Sequence, residues 1–192
     1  MLELFFSYRI KKRKELINMD KKHLKIVVVA LGAVLCTIAF FLFAAPFVTL
    51  KAGSLTRNIS GFQIAFDFES LTGKGEYVTE NGSIFGTFIS FAMTLGAFVG
   101  SLVGLVIAVL TLLGKFTPKN AGDPAKQKNA FVVTLIMNVF LGAIPMILNF
   151  CTVGMAGYSD NPLASLGAGA IASGILLFIG QVVIIFANFI KE

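Results

Sequence analysis

The chain has 192 residues, of which 56% are hydrophobic and 14% are charged, and its net charge is +6. Ordinary soluble domains are about 25% charged, so this composition excludes a typical soluble domain. The length leaves room for one helical bundle and one modest loop domain.

Four long stretches contain no Asp, Glu, Lys, Arg or His. Each exceeds the roughly 20 apolar residues that an α-helix needs to cross a bilayer. We therefore predict an all-α membrane protein, a bundle of four transmembrane helices with a small β-hairpin-like outer loop between the first two. The predicted spans are residues 26–50, 84–114, 130–158 and 163–190.

The basic residues are concentrated on one side of these spans. Residues 1–25 hold eight Lys or Arg and the 115–129 loop holds four, whereas residues 51–83 hold three and the 159–162 turn holds none. This positive-inside pattern predicts a cell-membrane protein with cytoplasmic termini and residues 51–83 outside. We expect the lipid bilayer as a partner, with the basic segments facing anionic lipid heads, and no nucleic acid.

The N-terminal segment leaves two alternatives open. Residues 1–18 precede a second plausible start, so the natural protein either begins at Met19 or carries a short interfacial helix with a basic arm. In both cases the first span is a retained anchor. It runs 25 residues, whereas the apolar core of a secretory signal runs about 7–15 residues.

The 51–83 loop contains one clear alternation of apolar and polar residues. Apolar side chains recur at every second position, which predicts a half-buried strand, and residues 76–79 are a candidate return strand. The apolar positions are Phe62, Ile64, Phe66 and Phe68. A two-stranded unit is marginal alone, so this aromatic face rests either on the ends of its own helices or on a partner protein.

The predicted spans lack the residues from which ion-coupled transport and most catalysis are built. The single His23 lies in the basic N-terminal segment, and no cluster of His, Cys, Asp and Glu has the spacing of metal ligands. Cys36 and Cys151 fall inside predicted spans, which indicates packing residues and no disulfide framework. We expect no enzymatic activity, no cofactor and no metal.

Four side-chain amides lie within the predicted third and fourth spans: Asn138, Asn149, Gln181 and Asn188. Asn138 and Gln181 each lie about nine residues from the cytoplasmic boundary, so they are at similar depth in antiparallel helices. The first interpretation is an interhelical hydrogen bond between them. The alternative is that these amides line a pathway or a ligand pocket.

The predicted second span carries small residues at every fourth position: Ala92, Gly96, Gly100, Gly104 and Ala108. Such a stripe lets another helix approach closely. We predict that it packs within the chain against the small residues of 164–172. A contact between subunits, as in a homo-oligomer, is the alternative.

As architecture, the whole chain resembles the claudin-like tetraspan proteins: four spans, cytoplasmic termini, a first outer loop with strands and a very short second one. That family's signature of tryptophan and paired cysteines is missing, since the chain has no Trp and residues 51–83 contain no Cys. The resemblance implies a fold and carries over no site residue. Residues 47–50 and 60–63 also resemble segments of small bacterial membrane proteins.

These observations favour a non-enzymatic membrane protein that acts as an accessory, assembly or scaffolding component. Its outer loop or its small-residue faces would meet a partner protein. The alternative is a transport component, either the membrane part of a larger permease or a small uncoupled channel.

Overall fold

The structure, a computed structural model, describes residues 2–72, 74–116 and 123–190, with the backbone alone for residues 2–19 and Pro124. It is mostly helical, and four helices in the described part are long and apolar enough to cross a membrane, as predicted. They are α1 (Leu2–Phe41), α3 (Phe85–Leu112), α4 (Pro124–Phe150) and α6 (Ala168–Phe189). Two short helices, α2 (Gly61–Ala65) and α5 (Thr152–Met155), lie between them.

The first span ends earlier than predicted. Residues 26–50 are helical only to Phe41, followed by a 3-10 turn at Leu42–Ala44, and Pro46–Ala52 is the strand β1. The ring of Pro46 removes a backbone donor and disfavours a helical conformation at the residue before it. The aromatic and β-branched residues that follow Pro46 are favourable in a strand.

The sheet at this end is antiparallel and has three strands in the order β2-β1-β3. Strand β2 (Leu55–Ser60) forms a hairpin with β1 through a turn in which Gly53 has a φ of +61°. Strand β3 (Ala164–Leu166) pairs with the other edge of β1, although the prediction gave these residues to the fourth span. A hairpin does follow the first helix, but residues other than the predicted ones form it.

The predicted strand over residues 62–68 is wrong, because this segment forms α2 and a 3-10 helix at Phe68–Thr72. A capping box starts α2: Ser60 Oγ accepts from the Gln63 backbone N–H at 3.2 Å, and Gln63 Oε1 accepts from the Ser60 N–H at 2.8 Å. Two reciprocal bonds satisfy free donors at the helix start and outweigh the alternating pattern. Residues 76–79 are not a strand either.

The bounds of the third predicted span, residues 130–158, also differ from those of the helix α4. Residues 117–122 of the predicted 115–129 loop lie outside the described residues, but α4 begins within that loop, at Pro124. Asp123 caps it by accepting from the N–H groups of Ala125 and Lys126 at 3.0 and 3.2 Å. At its other end α4 stops at Phe150, and α5 follows where the prediction extended the span to residue 158.

The four long helices form a bundle in which α1 and α4 each pack against both α3 and α6. The sheet closes one end, the sheet end, because β1 follows α1 and β3 precedes α6. The opposite end, the basic end, carries Lys25, Lys126 and Lys128. The apolar segments of α1 and α6 are 33% and 39% buried, against 11% for α3 and for α4. Thus α1 and α6 form the centre of the bundle.

The largest buried cluster lies at the sheet end. There Phe43 at the end of the first helix, Phe47 and Val48 of β1 and Ile59 of β2 are fully buried with Ile64 of α2. Between the helices a smaller cluster joins Cys36, Ala39, Ala97 and Leu177. The apolar core therefore closes the sheet end of the bundle tightly.

Candidate functional site: a polar cavity and an aromatic groove

One predicted amide, Asn149, is the centre of a buried hydrogen-bond network that joins all four long helices. Ser90 Oγ of α3 donates to Asn149 Oδ1 at 2.6 Å, and Asn149 Nδ2 donates to Ser173 Oγ of α6 at 3.4 Å. Ser173 Oγ in turn donates to the carbonyl of Ala39 in α1 at 2.9 Å. Because the side chains in this network are fully buried and satisfied, its role is to brace the bundle.

A second pair of amides borders a cavity of about 70 Å³ toward the basic end. Residues from all four long helices line it: Val29, Ala97, Gly100, Ser101, Gly104, Asn138, Leu141, Gln181 and Ile184. We call this space the polar cavity after its two amides, although most of its lining is apolar. Among its described lining side chains none is charged.

The hydrogen bond expected between Asn138 and Gln181 is not seen. Asn138 Nδ2 and Gln181 Oε1 are both buried and have no partner in the described part of the chain. Gln181 Nε2 donates instead to Cys36 Sγ at 3.3 Å. The fourth predicted amide, Asn188, lies outside the cavity and donates to the carbonyl of Ile184 in its own helix at 3.5 Å. The two amides that border the cavity thus carry one unpaired buried donor and one unpaired buried acceptor.

The small-residue stripe lies on the side of α3 toward α4. Much of the stripe nevertheless has no close neighbour. A Cβ added to Gly96 would lie 3.9 Å from Leu141 Cδ2, whereas a Cβ at Gly100 or Gly104 would meet no described atom within 4 Å. Of the outer members, Ala92 is exposed and Ala108 half-buried. The predicted contact with residues 164–172 is wrong, since 164–166 form β3 and α6 packs mainly on α1 and α4.

Helix α3 buries its hydroxyl-bearing face instead of its glycines. The buried positions are Thr87, Ser90, Thr94, Ala97 and Ser101. Hydroxyl groups need hydrogen-bond partners in apolar surroundings. Thr94 Oγ1 accordingly donates to the carbonyl of Ser90 at 2.8 Å, and Ser101 Oγ donates to that of Phe98 at 2.7 Å. Thr87 Oγ1 is the exception on this face, because it has no partner in the described part of the chain. The recurrence of hydroxyls at helical spacing was the sequence signal for this face.

At the sheet end, an open groove of about 510 Å³ is lined by aromatic and polar side chains. Its lining residues are Phe62, Gln63, Phe66, Asp67, Phe68, Glu69, Glu76 and Tyr77. We call it the aromatic groove. It holds three of the four residues predicted to face a partner, and two of them are substantially exposed, Phe66 at 44% and Phe68 at 53%.

The fourth predicted partner-facing residue, Ile64, is fully buried in the core of the sheet end. Phe62 and Phe66 are four residues apart at α2 and share one side of it, whereas Ile64 points elsewhere. The ring of Phe62 also packs on Phe43 and Phe91, at centroid distances of 6.0 and 5.5 Å. Because the segment is helical, its four apolar residues do not form a single face.

The buried carboxylate of Asp67 shapes one wall of the aromatic groove. Its Oδ2 accepts from the N–H groups of Tyr77 and Val78 at 2.7 and 3.0 Å, and its Oδ1 accepts from the Glu76 N–H at 3.4 Å. Arg57 reaches this wall from β2, pairs with Glu76 at 3.2 Å and lies over the Tyr77 ring. Asp67 therefore replaces strand pairing as the partner of residues 76–78.

Among the described residues no group of three or more His, Cys, Asp and Glu side chains has a metal-binding arrangement. Comparisons of the chain with protein-family models, with curated proteins and with solved structures found no match. The polar cavity and the aromatic groove are therefore the features of the molecule that bear on its function.

Proposed function

We propose that this chain is a non-enzymatic multi-pass membrane protein that serves as an accessory or scaffolding component and binds a partner protein through the aromatic groove. Four apolar helices support membrane insertion. The positive-inside pattern supports a cell-membrane protein whose sheet end faces outward and whose termini are cytoplasmic. The observation that carries the proposal is the exposure of Phe66 and Phe68 in a groove outside the spans.

The lining of the groove favours a basic segment of the partner. Aromatic faces attract Lys and Arg side chains. The carboxylates of Glu69 and Glu76 also line this groove, and Arg57 pairs with Glu76, while the carboxylate of Asp67 is bonded to backbone N–H groups. Exposed aromatic side chains surrounded by polar residues are also typical of energetic centres in protein interfaces.

The test is purification of the full chain from its native membranes in mild detergent, followed by reconstitution with whichever stoichiometric partner is found. We expect Phe68→Ser and Glu69→Gln each to weaken that complex by about tenfold or more. Leu71→Ser is the matched control, because Leu71 is 57% exposed beside the groove and does not line it. Equal loss in Leu71→Ser, or no stoichiometric partner at all, contradicts the proposal.

The polar cavity favours a second candidate, the membrane component of a transporter or a small uncoupled channel. Free amide groups between helices are the kind of lining that a polar solute path requires. Conduction would also require an opening through the aromatic core at the sheet end. Solute flux through the purified protein in liposomes tests this candidate, and impermeable liposomes contradict it.

A further inference from the structure

Two buried atoms without a partner belong to side chains that line the polar cavity, and they are complementary to a single kind of chemical group. Asn138 Nδ2 is a donor and Gln181 Oε1 is an acceptor, and Gln181 is only 2% exposed. A buried polar atom without a partner destabilises the fold. One atom lacks an acceptor and the other lacks a donor, and a ligand group that both accepts and donates supplies both kinds of partner. Hydroxyls and primary amides have this property.

The lining excludes a charged ligand on energetic grounds. None of the described side chains around the cavity carries a charge that would offset one on the ligand. An isolated ion in such surroundings is strongly disfavoured. The cavity of about 70 Å³ is also larger than the roughly 10–15 Å³ that one water molecule needs. A neutral organic group fits both its polarity and its size.

The way into the cavity lies along the glycine stripe. Gly100 lines the cavity and is exposed, and the empty Cβ positions at Gly100 and Gly104 mark a gap on the side of α3 that faces α4. The α3 surface outside this gap is apolar, with Val103 and Val106 at 52% and 57% exposure. A ligand with an apolar remainder could therefore leave that part on the helix surface while its polar end enters.

We infer that the polar cavity is a binding site for a neutral group that both donates and accepts a hydrogen bond, such as the hydroxyl of a membrane alcohol or of a small polyol. Asn138 and Gln181 bind this group, and Gly100 and Gly104 keep its path open. The inference does not rest on the aromatic groove or on the partner proposed above.

The test measures protection of a thiol at the mouth of the cavity, with the full chain in phospholipid nanodiscs. Gly104→Cys supplies the thiol, because a Cβ there meets no described atom within 4 Å, in a Cys151→Ser background that removes an exposed cysteine. Cys36 stays, because it accepts from Gln181, and its own labelling is subtracted using the background protein. Val103→Cys reports on the α3 surface outside the cavity.

The probes are 1-decanol, its methyl ether, which accepts but cannot donate, and glycerol. We expect decanol to slow labelling at position 104 about tenfold at about ten times its dissociation constant. Asn138→Leu and Gln181→Leu should each weaken this protection by roughly tenfold. Labelling at position 103 should not change. Protection by glycerol alone would keep the hydroxyl chemistry and assign it to a water-borne ligand.

Three results would overturn the inference: no protection by either alcohol, equal protection by the ether, or protection that survives both leucine substitutions. Thermal unfolding of each variant establishes that it is folded before labelling. If Gln181→Leu does not fold, Gln181→Glu supplies the second measurement. It keeps acceptor atoms and shape, so decanol protection must persist at a pH that protonates the glutamate.

Discussion

The contact between α1 and α6 and the gap between α3 and α4 use glycine in opposite ways. A Cβ at Gly32 of α1 would lie 2.5 Å from Ile184 Cγ1 and 3.0 Å from the carbonyl oxygen of Gly180 on α6. A Cβ at Gly100 or Gly104 of α3 would meet no described atom within 4 Å. Glycine in an apolar helix permits a close approach, and other parts of the molecule decide where that approach occurs.

In this protein the sheet determines which two helices approach each other closely. Pairing of β1 with β3 holds the end of α1 beside the start of α6, and the Gly167 N–H donates to the carbonyl of Phe47 at 2.8 Å. The regions of α3 and α4 are joined by single hydrogen bonds, such as the Ser83 N–H to the carbonyl of Met155 at 2.6 Å and Ser90 Oγ to Asn149 Oδ1 at 2.6 Å. The first pair of helices is thus fixed by a shared strand pairing, whereas no strand in the described part of the chain joins α3 to α4.

The largest effect that separates the two regions should come from one substitution made in each. We expect Gly32→Leu to lower the free energy of unfolding by about 3 kcal/mol or more, because the side chain has no space and the nearby carbonyl is backbone. Gly100→Leu should change it by less than about 0.5 kcal/mol. Thermal unfolding of the purified monomer in detergent measures both.

Native mass and light scattering of the same Gly100→Leu protein examine the contact between subunits. A folded monomer that no longer associates would place a second copy of the chain on the stripe. A large loss of monomer stability in Gly100→Leu would contradict the gap itself and restore the internal contact that the spacing predicts.

A smaller difference should separate the two asparagines of α4. Asn149→Leu removes a satisfied network and leaves Ser90 Oγ and Ser173 Oγ short of a partner, so we expect a loss of about 1–2 kcal/mol. Asn138→Leu removes a donor that has no partner and should be neutral or slightly stabilising.

A double-mutant cycle sharpens this comparison. Asn149→Leu with Ser90→Ala should show a coupling energy of roughly 0.6–1.7 kcal/mol. Asn138→Leu with Gln181→Leu should show almost none in the absence of ligand. Strong coupling in the second cycle would mean that the two amides bind each other in the membrane, as the sequence alone predicts.

The number of long apolar helices could be predicted from the sequence. It depends on the length of the uncharged stretches, which no single residue changes much. Their ends could not be, since they depend on single residues. Pro46 stops the first helix, and the reciprocal bonds of Ser60 and Gln63 start α2. The Ser60-to-Gln63 spacing is a known helix-start signature and was present in the sequence, but the alternating aromatic residues gave a stronger pattern for a strand.

The residues of the candidate sites could be predicted from the sequence, but their contacts could not. Asn138, Asn149 and Gln181 stand out because amides are few in apolar spans. The hydrogen-bond partners of these amides depend on how the helices are arranged. That arrangement depends in turn on the pairing of β1 with β3, in which Thr49 and Ser165 are partners although 116 positions separate them in the sequence. The hydroxyl of Ser90 bonds to Asn149 across the two helices, whereas the cavity hydroxyl of Ser101 bonds to the carbonyl of Phe98 in its own helix.

The smallest effect concerns pH and belongs to the sheet end alone. Tyr158 is 8% exposed and its hydroxyl donates to the carbonyl of Tyr77 at 3.0 Å. Burial raises the pKa of Tyr158 above its usual 10.0, and nearby Arg57 opposes this shift while Asp67 adds to it. A pKa that is higher in the folded state means that the neutral phenol stabilises the fold at pH values below 10.0 and that this contribution is lost as the pH rises through the folded-state pKa.

Tyr158→Phe should therefore lose about 1 kcal/mol at neutral pH, for the missing hydrogen bond, and then decline less steeply than the parent above about pH 10. Lysines titrate in the same range, so the difference between the two proteins is the measured quantity. Tyr77→Phe, which leaves the Tyr158 hydroxyl and its backbone acceptor in place, should keep the parent's alkaline decline. Parallel curves of stability against pH for Tyr158→Phe and the parent would show that the phenol is as accessible to water in the folded protein as in the unfolded chain. That result would contradict the tight closure of the sheet end.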